Sequence, residues 1–146
     1  MLYVAEVSKN DLHFTIASSL SLVQDFIDDV AEYVQTRAIP VDEFSFKFAL
    51  TEAVTNAIEH GNKKNPRRLV KFRLWEEEGS LRMSFEDEGS GFDWREYQDP
   101  SCPDSTAESG RGLFIIGQCG YEVEFNEAGN LVTLTHPLGD PVVSGI

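Results

Sequence analysis

Between Pro40 and Asn62 the chain carries a helix-like run that is apolar or small in most directions: Phe44, Phe48, Ala49, Leu50, Ala53, Val54, Ala57 and Ile58. At about 100° per residue, Glu52 and Asn56 stack one turn apart, with Glu59 above them as a single polar stripe. A helix of this kind has to be covered on most sides, and its stripe has to find polar partners. Pro40 is expected to open the helix, with Asp42 and Glu43 suiting its positive end. Gly61-Asn62 is expected to close it in a left-handed turn.

What covers that helix can be read from the flanking patterns. Leu2–Val7 and Leu12–Ile16 read as two short strands around Ser8-Lys-Asn-Asp11. Leu22, Phe26, Ile27, Val30, Tyr33 and Val34 recur at helical spacing, so a helix runs to about Arg37 with Ser19 or Ser21 as its cap. Leu69–Trp75 and Leu81–Phe85 alternate as a hairpin, and Tyr121–Phe125 and Leu131–Thr135 form another. A helix is expected from Gly112 to Gln118. The stretch 92–109 has prolines, serines and no period, which inside a compact domain marks a functional lid or a disordered loop. Hairpin-linked strands with helices interposed predict an α+β fold: a mixed, mainly antiparallel sheet with helices on one face. One domain over 1–138 is expected, with 139–146 as a loose tail.

Charge and cysteine usage narrow the function. A net charge of −13 argues against a nucleic-acid surface, which needs arrays of Lys and Arg. Cys102 and Cys119 alone make neither a disulfide framework nor a zinc site by spacing. No signal segment opens the chain and no apolar run approaches spanning length, so no membrane role and a cytoplasmic address are expected.

Three pieces carry chemistry. In Glu52-Ala-Val-Thr-Asn56, Glu52 can act as a base and Asn56 can offer an oxygen to magnesium, which takes few protein ligands. Equally, the stripe can be a solvated edge with a satisfied amide. In Asp87-Glu-Gly89-Ser-Gly91, a carboxylate at a strand end can accept from the exocyclic amine of adenine, and glycines let backbone approach a flat ring. An acidic turn is the plainer reading. In Gly110-Arg111-Gly112, a glycine-rich helix start can cradle phosphate, with Arg111 as a further contact, or it can be an ordinary N-terminus. No P-loop, no complete Gly-x-Gly-x-x-Gly and no Gly-x-Ser-x-Gly elbow is present.

In this order the pieces resemble the N box and the two glycine boxes of the histidine-kinase-like ATPase superfamily, shared with gyrase, mismatch-repair and chaperone ATPases. The longer string Thr51-Glu-Ala-Val-Thr-Asn-Ala-Ile-Glu-His60-Gly-Asn, with Gly110-Arg-Gly-Leu-Phe-Ile-Ile, is similar to stand-alone anti-sigma-factor serine kinases of bacterial partner-switching systems. The resemblance implies a two-layer α/β sandwich holding Mg2+ and ATP between helices and sheet under a lid formed by 92–109. It implies Glu52 as general base, Asn56 as magnesium ligand and Asp87 as adenine reader. Gly89 and Gly91 would shape that pocket, and Gly110, Arg111 and Gly112 would meet phosphates. It further implies a protein serine/threonine kinase that phosphorylates a small STAS-type antagonist and holds a sigma factor or another target, and it suggests a homodimer. A nucleotide-gated binding module without kinase activity, or a simple ATPase, stays open as the alternative.

Overall fold

The computed structural model describes residues 2–90, 112 and 115–139. The strands are β1 (Tyr3–Val7), β2 (Asp11–Ala17), β3 (Leu69–Glu77), β4 (Ser80–Glu86), β5 (Glu122–Phe125) and β6 (Leu131–Pro137). Two helices, α1 (Val23–Thr36) and α2 (Glu43–Asn56), separate the first hairpin from the second. The sheet runs β1-β2-β3-β4-β6-β5, and every neighbouring pair is antiparallel, so the expected mixed character resolves to a purely antiparallel sheet among the described strands.

Alternation puts one apolar row beside another on the inner face. Phe14, Phe72, Phe85 and Val132 lie opposite one another across β2, β3, β4 and β6, and Leu12, Leu74, Met83 and Leu134 form a parallel row. All eight side chains are buried. Phe26 of α1 seats its ring edge-on against Phe14 and Phe72, with centroids 5.3 and 4.9 Å away. Each fully buried Phe contributes roughly 1.5–3 kcal/mol, so these rings anchor α1 to the sheet. The outer face carries Lys71, Arg73, Ser84 and Thr133, and the Arg73 guanidinium lies 4.1 Å over the Trp75 ring. One face packed and one solvated is the usual economy of an antiparallel sheet.

Four local expectations are corrected. Pro40 does not open α2: the helix starts at Glu43, because Asp42 takes the capping role and accepts from the Ser45 N–H at 2.9 Å. Neither Ser19 nor Ser21 caps α1. Their hydroxyls bond each other at 2.8 Å, and a single 3-10 turn, Leu20–Leu22, leads into the helix. The expected all-round burial of α2 fails at its first turn, where Phe44 is 78% exposed. Gly61 is not left-handed either; Lys63 and Lys64 take that conformation, at φ of 54° and 59°. Between α2 and these lysines lies one π-turn, Ala57–Gly61, in which Asn62 N–H bonds Ala57 O at 2.8 Å, five residues back.

Candidate functional site

The π-turn brings backbone against the end of β4. A Cβ on Gly61 would overlap the Asp87 carboxylate, and one on Gly89 would overlap the Gly61 carbonyl oxygen. Both glycines are thus required by close approach of two chain segments, not by a left-handed conformation. The extra residue of the wide turn also breaks the regular helical register, so the stripe of Glu52 and Asn56 does not extend simply to Glu59.

Asp87 follows β4 directly and is only 6% exposed. Its N–H bonds Asn130 O at 2.9 Å, and its Oδ1 accepts from the Gly89 N–H at 2.8 Å. Burial pushes its carboxyl up from the ordinary value, while the Gly89 N–H, favouring the charged form, opposes the rise. Asn56, 8% exposed, has no side-chain hydrogen-bond partner among the described residues. Asn56 and Asp87 line one small cavity, whose other walls are Ala53, Ala57, Phe85, Phe125, Leu131 and Val132, with Gly129 and Asn130. At about 20 Å³ it holds roughly one water, so a ring entering here has to widen it.

Glu52 stands one turn before Asn56 on α2 and is half-buried. Gly112, buried and helical, lies against it: a Cβ there would overlap the Glu52 carboxylate. The fold therefore brings together Asn56 and Asp87 at one pocket, with Gly89 bonded to Asp87, and places Gly112 beside Glu52. Gly91, Gly110, Arg111 and the 92–109 stretch lie outside the described residues, as do Cys102 and the tail from 140. Sequence reasoning missed Asn62 and Asn130. Asn62 reads as the polar end of a helix, yet it is fully buried; nothing local signals that. A broader concavity of about 1000 Å³, between the β1–β2 hairpin and α1, holds none of these site residues.

A buried carboxylate with mostly apolar walls, an amide oxygen without a donor among the described residues, and closely approaching glycines suit a nucleotide pocket. Residues 16–136 match the histidine kinase-like ATPase domain, which is most of the chain. The chain belongs to that family. Among relatives of this histidine kinase-like ATPase, the serine-protein kinase RsbW of Bacillus subtilis (strain 168) is 32% identical over 97 residues, covering 61% of this chain and 61% of the relative. The anti-sigma F factor of Geobacillus sp. (strain WCH70) is 34% identical over 85 residues, covering 57% and 58%. The anti-sigma F factor of Bacillus cytotoxicus is 35% identical over 100 residues, covering 64% and 68%. The chain thus spans about three fifths of the length of the first two relatives.

Membership of the histidine kinase-like ATPase family implies ATP binding, and the residues present fit that ligand. Asp87 has one oxygen committed to Gly89 and the other without a donor among the described residues, which suits an N–H donor on the edge of a base. The Asn56 oxygen suits a hard cation that takes most of its remaining ligands from phosphate and water.

Proposed function

We propose that this chain is an ATP-dependent protein serine/threonine kinase that acts as an anti-sigma switch. Its substrate in this reading is a serine on a small STAS-type antagonist, and a sigma factor or comparable target is held when that antagonist is modified. The reading draws on relatives named as a serine-protein kinase and as anti-sigma F factors. The observation that carries it is the half-buried Glu52, one turn from Asn56 and against Gly112, because a domain that only binds nucleotide has no need of a base there.

In this proposal Glu52 takes the proton from the serine hydroxyl of the partner, and Asp87 accepts from the exocyclic amine of adenine. Gly89 and Gly91 shape the base pocket, while Gly110, Arg111 and Gly112 hold phosphates. Asn56 ligates magnesium. Mg·ATP supplies the phosphoryl group and the charge neutralisation that phosphoryl transfer needs. A cytoplasmic address and a homodimer complete the proposal.

The test is transfer of labelled γ-phosphate from Mg·ATP to proteins of a host lysate. Label on one small protein should fall by about 10²–10⁴-fold in Glu52→Gln while ATP binding persists. ATP binding with no Glu52-dependent label would instead favour a nucleotide-gated binding module, and free phosphate released without a partner would favour a simple ATPase.

A further inference from the structure

Asn62 is 0% exposed, and its amide is bonded on both sides. Its Oδ1 accepts from the Glu88 N–H at 2.7 Å, and its Nδ2 donates to Ser18 Oγ at 2.7 Å and to Leu69 O at 3.0 Å. Ser18 Oγ in turn donates to Arg68 O at 2.8 Å, and Glu88 Oε1 accepts from the Leu69 N–H at 2.8 Å. One side chain therefore ties the exit of β2, the π-turn, the start of β3 and the exit of β4. Residue 69 is clasped twice, its carbonyl by Asn62 and its N–H by Glu88.

The consequence falls on Asp87. Its own N–H is held by Asn130 O, and the next N–H along the chain, that of Glu88, is held by Asn62. With both flanking peptides pinned, the direction of the Asp87 Cα–Cβ bond is set before any ligand arrives. Gly61 and Gly89 then fit closely against the carboxylate and against each other. Releasing the Asn62 contact frees the Glu88 peptide to rotate, and the carboxylate turns with it. A buried, fully bonded amide of this kind rigidifies what it touches.

We propose that Asn62 is a positioning residue that aims the Asp87 carboxylate into the pocket, and thereby sets the preference of the site for a base bearing an exocyclic amine. This rests on the adenine-reading role proposed for Asp87 above. A merely structural Asn62 would add stability and leave base preference untouched, so preference is the decisive readout.

The experiment measures binding of Mg·ATP, Mg·ITP and inorganic tripolyphosphate, with Tm alongside, for wild type, Asp87→Asn, Asn62→Ala, Glu88→Ala and Glu88→Gln. Hypoxanthine presents a carbonyl oxygen where adenine presents the amine, so a fixed carboxylate disfavours it. The ATP-over-ITP preference should fall about tenfold in Asn62→Ala, as expected for one misdirected hydrogen bond to a charged group, with tripolyphosphate affinity unchanged. Glu88→Ala should lower the preference less, and Glu88→Gln, which keeps the acceptor for Leu69 N–H, should retain it. A folded Asn62→Ala with full preference overturns the inference. If Asn62→Ala does not fold, the exposed Glu88 pair decides, and undiminished preference in Glu88→Ala overturns it. Wild type without preference, or Asp87→Asn that keeps it, would instead remove the adenine-reading role itself, and this inference with it.

Discussion

Asp11 and Asp87 both sit at strand ends of one sheet, Asp11 opening β2 and Asp87 following β4, and their surroundings act on them in opposite directions. Asp11 accepts from the Ser8 hydroxyl, lies 3.1 Å from Arg73 Nε and 3.1 Å from His13 Nε2. The Ser8 hydroxyl first, then Arg73, hold its carboxyl down at about 2. Asp87 is buried, with no ion pair among the described residues. Arg68 is near enough to oppose the rise in its pKa, but burial outweighs it. The contrast teaches where to look for a ligand. A charge that is solvated and paired explains itself as local structure. A carboxylate taken out of water without a cation works against the free fold, and a bound donor resolves it.

The sharpest way to break the comparison is Asp87→Asn. Its single side-chain oxygen is claimed by the Gly89 N–H, so its NH2 would face the amine of the base. ATP affinity should drop about 100-fold, the scale of losing a hydrogen bond to a charged group, as read by titration calorimetry. Linkage gives a second signature. Because the folded Asp87 pKa is raised, its contribution is favourable below the ordinary carboxylate range and is lost as pH rises through the folded value. The ligand-free Asn variant should therefore gain stability relative to wild type from acid to neutral pH. If denaturant midpoints of the two proteins keep a constant difference across that range, Asp87 is not strained by burial.

Next in size is Gly61→Ala. The new methyl would meet the Asp87 carboxylate, and overpacking of this kind costs about 1–3 kcal/mol. A denaturant melt should show that loss, together with weaker ATP binding. Unchanged stability would mean that the π-turn and the strand end separate easily.

Smallest is Asp11→Asn. The depressed pKa means that Asp11 contributes stability above the ordinary carboxylate value, lost as pH falls towards about 2. The exposed site is screened, so the effect should be slight, should shrink with added salt, and should leave ATP affinity unchanged. It runs opposite in pH to that of Asp87→Asn. Melts of both variants along one pH series would show the two trends diverging, and parallel trends would end the comparison.

How legible the fold was depended on how far each cause lay along the chain. Strand alternation in Leu69–Trp75 and Leu81–Phe85 is a local pattern, and the observed β3 and β4 contain both. The start of α2 was misplaced by three residues because the two local signals compete: Pro40 suits a first helical position, but the Asp42 side chain captures the Ser45 N–H and wins. The helical run does stop at Gly61-Asn62, where the π-turn ends, but the reason for the glycine was not legible. Gly61 looks like a left-handed stop, whereas its reason is Asp87, 26 residues later, pressing where a side chain would be.

The sequence by itself determined the parts of the candidate site and their order: Glu52 and Asn56 one helical turn apart, Asp87 with Gly89, and Gly112 further on. Periodicity and turn chemistry act between neighbours, so they survive in a linear reading. The tertiary structure alone decided that Asn62 is buried and bonded to Glu88, that Gly61 faces Asp87, and that Gly112 meets Glu52. Those are properties of packing, in which desolvation and backbone approach join residues that no local pattern relates.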